Sequence, residues 1–284
     1  MSAPMPTHPQ PRLPELLSPA GSEECLYAAI ENGADAVYFG LAKPHNFNAR
    51  GRAENIPLEK LGDTMHTLHR RGLKGYLTLN TLIHCDELSA VESLLREVIA
   101  APIDAIIVQD IGVAVLAQRL CPDLPLHAST QMSLTSAASI EQVAALGIKR
   151  VILPRELSIR QIADLRRNTE IELECFIHGA LCISYSGQCY ASLGLGGRSA
   201  NRGSANRGSC TQPCRLPYSV VQIGAKPKPI LSPHDLAALP MLPKLIATGV
   251  HAFKIEGRLK PPEYVAEVTK VYREALDHFA VAST

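Results

Sequence analysis

Eight short apolar runs, each followed by a longer segment, fill this chain almost from end to end, and nothing else in the sequence limits its fold as tightly. They are PELLSPA from Pro14, ADAVYFG from Ala34, LKGYLTLN from Leu73, IDAIIVQD from Ile103, PLHAST from Pro125, IKRVILPRE from Ile148, IELECFIHG from Ile171 and HAFKIEG from His251. Their Val, Ile, Leu and aromatic content marks strands. Segments with helical character lie at 22–32, 58–71, 86–100, 111–120, 136–146, 158–167, 235–247 and 262–279. Ser22 followed by Glu23 and Glu24, with Gly33 just past the end, is a start and stop signature. Strands alternating with helices imply parallel pairing with helical crossovers. Eight such units predict an α/β fold, a closed TIM-like (β/α)8 barrel. An open doubly wound sheet is the alternative.

The alternation breaks once. After the seventh strand, residues 180–232 form a Cys-rich insertion that contains Ser-Ala-Asn-Arg-Gly twice in tandem, from Ser199 and from Ser204. Its Gly, Ser and Asn content predicts loop, and a long loop at a barrel strand's exit is where such folds build active sites. Residues 14–284 are expected to form this single domain, preceded by a disordered proline-rich tail over 1–13. That tail lacks the apolar core of a signal peptide, and no apolar run reaches the length of a membrane span. A cytoplasmic location follows as an expectation, and there structural disulfides are rare.

Four of the eight cysteines, Cys182, Cys189, Cys210 and Cys214, lie in the insertion. Grouped thiolates favour soft metals. Their wide, irregular spacing suits a 4Fe–4S cluster gathering ligands from several directions, with zinc or unligated thiols as alternatives. Cys175 is expected to be a buried apolar residue. Cys25, Cys85 and Cys121 lack close thiol neighbours in sequence. Net charge is +1, so no global field draws the chain to nucleic acid or membrane. From Cys175 to His234, however, there is no Asp or Glu, while Arg198, Arg202, Arg207, Arg215, Lys226 and Lys228 fall there. Such a basic stretch suggests an anionic partner, RNA or a carboxylate; charge balance for an anionic cluster is the other explanation.

Polar residues crowd the strand exits. The eighth strand ends with Lys254, Glu256 and Arg258, the sixth with Arg155 and Glu156, and the third with Asn80. Gln109 and Asp110 close the fourth, and alternation puts His127, Ser129 and Gln131 on one face of the fifth. It also puts Glu174 and His178 on one face of the seventh. Buried charges must be paired or engaged by a ligand. These residues therefore form either an anion-binding, proton-handling pocket or a lattice of salt bridges. His178 alone could equally be held by an orienting hydrogen bond. There is no phosphate-binding P-loop, nucleophile elbow or His-Glu-x-x-His helix, which disfavours the familiar hydrolases.

The stretch ECFIHGALCISYSGQC resembles the signature of the collagenase-like peptidase family U32. The likeness extends through ELLSPAG, NGADAVYFG, LNTLIHCDEL, IVQDIGV, LHASTQMS, RSANRG, CTQPCRLPY and FKIEGR, from Glu15 to about Leu276. SGQCY, GRSANRG and CRLPY resemble most the branch that makes 5-hydroxycytidine in large-subunit ribosomal RNA. The resemblance implies a 4Fe–4S cluster on Cys182, Cys189, Cys210 and Cys214, and hydroxylation without molecular oxygen, with prephenate as hydroxyl source. Structured RNA is then the partner, its phosphates on Arg198, Arg202 and Arg207. Glu256, Lys254 and His178 become catalytic candidates. Arg155, Arg258, Asn80 and Gln131 become substrate-binding ones, with Lys254 and Arg258 holding a carboxylate co-substrate. The electron donor is unspecified. Other relatives hydroxylate a quinone precursor as paired sister proteins, or are described as peptidases. The second Ser-Ala-Asn-Arg-Gly copy lengthens the loop beyond the family pattern, and the RNA-modifying relatives continue past the last barrel helix.

Overall fold

The computed structural model describes residues 13–45, 47–196, 210–219 and 226–282. Residues 1–12 of the expected tail over 1–13, and Arg198, Arg202 and Arg207, lie outside them. The elements run β1 (Glu15–Ala20), α1 (Glu23–Glu31), β2 (Ala36–Phe39), α2 (Leu61–Arg70), β3 (Lys74–Leu79), α3 (Leu88–Ala100), β4 (Ala105–Val108), α4 (Ile111–Leu120) and β5 (Leu126–Ala128). Then follow α5 (Ala137–Ala144), β6 (Ile148–Ile152), α6 (Ile159–Arg167), β7 (Glu172–Gly179), α7 (Ala191–Gly196), β8 (Leu236–Ala237), α8 (Leu242–Ile246), β9 (Ala252–Ile255) and α9 (Pro262–Ala282).

Strands β1 to β7 pair in parallel with their sequence neighbours, and β9 lies parallel between β7 and β1. The sheet therefore closes on itself as an eight-stranded barrel, and the open-sheet alternative is excluded. All eight predicted strands are barrel strands. Strand β8 is an antiparallel addition to β7 at His178 and Gly179.

Local signals act as the sequence suggests. The Ser22 hydroxyl caps α1 by accepting from the Cys25 amide at 3.3 Å, and Gly33, at φ +87°, takes the left-handed turn into β2. Asp110 caps α4 by accepting from the Val113 amide at 3.1 Å, giving an acceptor to one of the donors that a helix start leaves unpaired. One predicted helix is corrected. Residues 235–247 form β8, a 3-10 turn over Leu239–Met241 and only a short α8. Pro240 and Pro243 each lack a backbone donor, so a continuous helix cannot run through them. Conversely, the insertion contains the short helix α7 where loop is expected.

Side chains sort into two layers. Leu16, Phe39, Leu77, Ile106, Phe253 and their neighbours pack under the helices. Leu17, Ala36, Tyr38, Tyr76, Ala105, Ile107 and Ile152, with Phe176 against them, point into the barrel. The lower interior is ionic. Arg150 contacts Glu15 at 2.6 Å, Glu172 at 2.7 Å and Glu174 at 3.4 Å. Lys254 contacts Glu174 at 2.9 Å, and Lys74 contacts Glu15 at 3.2 Å. Three carboxylates thus meet three cations, and the Tyr76 hydroxyl donates to Glu15 at 2.9 Å. Removing one partner of such a set leaves a buried charge uncompensated.

Arg150→Met is therefore expected to cost about 3–5 kcal/mol of stability, read from the urea unfolding midpoint. Burial alone would raise the Glu15 pKa, but Arg150, Lys74 and Tyr76 hold it below the ordinary carboxylate range. Its charged form therefore adds stability that is complete above the unfolded-state value of about 4.3 and is lost as pH falls through the lower folded value. Glu15→Gln should flatten that part of the acid limb of a stability–pH curve.

Candidate functional site at the barrel mouth

Above the ionic floor, the C-terminal ends of the strands and the loops that follow them build a second, differently charged layer. Glu256 follows β9 and accepts two bonds on Oε1 from Arg50, at 3.2 Å from Nε and 3.0 Å from Nη2. Burial would raise its pKa, but Arg50, Arg155 and Arg258 together hold it below the ordinary carboxylate range. Arg258 is 3% exposed and donates to Thr78 Oγ1 at 2.9 Å and Asn48 Oδ1 at 3.0 Å. Burial, against weaker support from Tyr38 and Glu256, brings its pKa down to about 10, so it stays cationic at neutral pH. Arg258 therefore pins the loop after β2 rather than presenting a free charge.

Arg155 differs. Its guanidinium lies 3.8 Å from the centroid of the Phe176 ring, and burial lowers its pKa. Among the described residues it has no hydrogen-bond acceptor and no ion pair. The inner wall thus holds three arginines against one carboxylate. The opposite wall is neutral. Asn80 accepts from the Ala49 amide at 2.9 Å and donates to Ser129 Oγ at 3.3 Å. Gln109 and Gln131, just after β4 and β5, complete this side; His127, paired with Arg150 across β5 and β6 and packed on Tyr76, lies lower. Burial, with Arg150 and Lys254, pushes the His127 pKa well down, so its imidazole is neutral.

Two predicted site residues lie elsewhere. Lys254 sits below the mouth, on Glu174 and 4.0 Å from the centroid of the Tyr38 ring. His178 is not on the face of Glu174. A register shift between Phe176 and His178 sets His178 opposite Ile255, in the layer under the helices. There it bonds the Tyr272 hydroxyl at 3.3 Å and packs against Tyr264. The physical reason is a bulge, which breaks strict alternation. Arg50, Asn48, Asn55 and Phe176 went unrecognised as site residues; the first three lie in the long loop after β2, where contacts leave no periodic trace, and Phe176 lies within β7 as an apolar residue like its neighbours.

The insertion is tied down over this mouth by its own side chains. Arg215 donates to Leu181 O at 2.8 Å and Pro233 O at 2.6 Å, joining the segment around Cys214 to that around Cys182. Ser192 accepts from the Thr211 amide at 2.8 Å, joining the segments around Cys189 and Cys210. Ser186 donates from its amide and hydroxyl to Glu156, each at 3.0 Å, and accepts from Ser133. Gly187, at φ +77°, runs so close to the β5 turn that a Cβ there would stand 2.1 Å from Gln131 O. The Cys182–Cys189 segment is therefore pressed onto the mouth.

All four thiols are unbridged. Burial pushes the Cys182 thiol up, opposed by a backbone hydrogen bond at Ser184, and Cys189, Cys214 and Cys210 add to the rise. The four are therefore electrostatic neighbours. They also adjoin the arginines: Cys210 acts on Arg50 and Cys182 on Arg155. The Gln212 amide donates to Cys210 Sγ at 3.3 Å. Among the described residues no three His, Cys, Asp or Glu side chains already stand in metal-holding geometry. The donor set nonetheless fits a soft metal centre: four neighbouring thiols, an amide donating to Cys210 sulfur and adjacent arginines suit soft thiolate ligation. Mild oxidation should give disulfides confined to these four cysteines, with Cys25 and Cys175 left free; peptide mass mapping reads the outcome.

Comparison with known proteins gives a consistent picture. The family model for peptidase family U32 matches residues 21–284. The 23S rRNA 5-hydroxycytidine synthase of Escherichia coli is 41% identical over 93% of this chain and 39% of its own length. The tRNA hydroxylation protein P1 of Bacillus subtilis is 36% identical over 94% of the chain and 64% of its length. The collagenase of Porphyromonas gingivalis is 34% identical over 93% and 66%. The chain thus spans between about two fifths and two thirds of these relatives. A solved U32 peptidase structure superposes with a TM-score of 0.58 at 12% identity, covering 91% of this chain and all of that one, which supports the fold alone. Among the described residues no helix is long and apolar enough to cross a membrane. On the extent of the family match and the identity to its relatives, the chain belongs to peptidase family U32.

Proposed function

We propose that the protein hydroxylates a pyrimidine base of ribosomal RNA, forming 5-hydroxycytidine without molecular oxygen, at the barrel mouth beside an iron–sulfur centre. The observation that carries this reading is the meeting of four free thiols with the rim arginines, of which Arg155 lacks an ion pair among the described residues. Relatives named as rRNA and tRNA hydroxylation proteins support the reaction class. Cys182, Cys189, Cys210 and Cys214 would hold a 4Fe–4S cluster. When bound, it supplies one-electron transfer next to the mouth.

The chain's own groups bind and orient. Arg155, stacked on Phe176 and lacking a partner among the described residues, takes the carboxylate of a co-substrate such as prephenate. Arg50 holds Glu256 ionised at its side. Arg155 replaces Lys254 and Arg258 in that role, since both of the latter are engaged within the fold. The cysteine loop covers the mouth and limits water, which strengthens each charge interaction inside. Hydrolysis of a peptide would need a nucleophile with a base, and His178, the histidine nearest Cys182 in sequence, is turned away onto Tyr272.

The test is mass spectrometry of ribosomal RNA nucleosides from cells with and without the gene. Loss of 5-hydroxycytidine on deletion, restored by the intact gene and not by Cys182→Ala, is expected. An unchanged nucleoside profile would overturn the proposal. Arg155→Met should raise KM for the carboxylate co-substrate by about tenfold, the loss of one charge-assisted contact, with kcat less affected.

A further inference from the structure

Two of the four buried side-chain polar atoms without a partner among the described residues lie at adjacent strand exits of the mouth, Gln109 Oε1 and Gln131 Oε1; a third, His127 Nδ1, lies lower, where its ring packs 4.8 Å from that of Tyr76. Gln109 is 6% exposed. Native folds pair nearly all such atoms, so two side by side at the mouth call for a ligand or water. Gln109 follows the inward-facing Ile107 by two residues, which turns it into the barrel. Gln131 stands in the turn after β5, and the Ser129 amide bonds Val108 O at 2.8 Å, joining the two strand exits. The close approach of Gly187 puts the cysteine loop directly against Gln131.

From this juxtaposition we infer that Gln109 and Gln131 are the specificity-determining residues of the base subsite, their free carbonyl oxygens receiving the two hydrogens of the exocyclic amine of cytosine. The inference rests on the proposed RNA-base reading of the mouth and deepens it. Uracil presents an oxygen there, so it would be met only if each amide turned to offer its NH2 instead of the carbonyl oxygen that faces the mouth. A site built to hydrogen-bond a group rejects the analogue lacking it, because its own polar atoms are then stranded. The base enters on the neutral wall and the anion binds on the arginine wall. Contact between Gln131 and the loop carrying Cys182 and Cys189 keeps the bound ring beside the thiols.

The experiment is calorimetric titration of anaerobically purified protein with cytidine monophosphate and with uridine monophosphate. These probes differ only at the 4-position and in the N3 hydrogen that accompanies uracil's 4-oxo group. Wild type should bind the cytidine nucleotide at least about tenfold more tightly, the size of one lost hydrogen bond. Gln109→Leu and Gln131→Leu should each weaken cytidine nucleotide binding and shrink the preference, while binding of inorganic phosphate is retained. Gln131→Glu keeps the acceptor and should keep the preference, which separates recognition from a merely structural role. Equal binding of the two nucleotides, a preference for uridine, no binding of either, or a preference that survives both Leu variants would overturn the inference. Its failure is separable from that of the underlying reading. Hydroxylated cytidine in cells carrying the wild-type gene, without a cytidine preference in the titration, overturns the amide assignment alone; its absence from those cells overturns both.

Discussion

A buried charge must find an opposite charge or a ligand, and this barrel meets that demand differently at its two levels. In the lower interior the demand is met internally. Arg150, Lys254 and Lys74 satisfy Glu15, Glu172 and Glu174, and the phenol of Tyr76 completes the set. That layer can fill and fix the barrel but has nothing left to offer a substrate. At the mouth the demand is not met. Arg50, Arg155 and Arg258 face the single carboxylate of Glu256, and the amides across from them hold unused acceptors. The contrast separates a structural floor from a reactive rim more sharply than residue type alone does, since arginine and glutamate occur in both.

The described parts of the insertion after β7 lie against that rim. They carry little regular structure, so side chains hold them in place. Arg215 ties the second half of the insertion to its first, Ser186 and Gly187 seat it on the β5 and β6 loops, and Ser192 joins α7 to Thr211. Each of these contacts lies within three residues of a cysteine. The same bonds that hold the loop therefore gather the thiols. A soft metal centre bound there would in turn lock the loop, since ligation couples directly to folding.

The barrel was legible because burial on both faces imposes a repeating demand for apolar strands, and eight such runs stand in order in the chain. The thiol group was legible from composition, as soft ligands crowded into one acid-free loop. Three features were not. The bulge before His178 has no sequence signal, so alternation put that ring inside when it packs outside against Tyr272. The strand exits named Lys254 and Arg155 alike; only packing shows that Glu174 engages the former and that the latter has no acceptor among the described residues. Arg50 reaches Glu256 across more than two hundred residues of sequence, a closeness that chain closure creates and local pattern cannot carry. Prolines 240 and 243 were visible, and the short helix α8 follows from them.

The account as a whole depends on the thiols of Cys182, Cys189, Cys210 and Cys214 gripping one iron–sulfur unit above the barrel. Mössbauer spectroscopy of protein produced with iron-57 and kept anaerobic tests this most directly. The account predicts the signature of a 4Fe–4S cluster on thiolate ligands, lost when any one of the four cysteines is replaced by alanine. Protein that carries stoichiometric zinc and no iron, or iron that persists through all four substitutions, would contradict it.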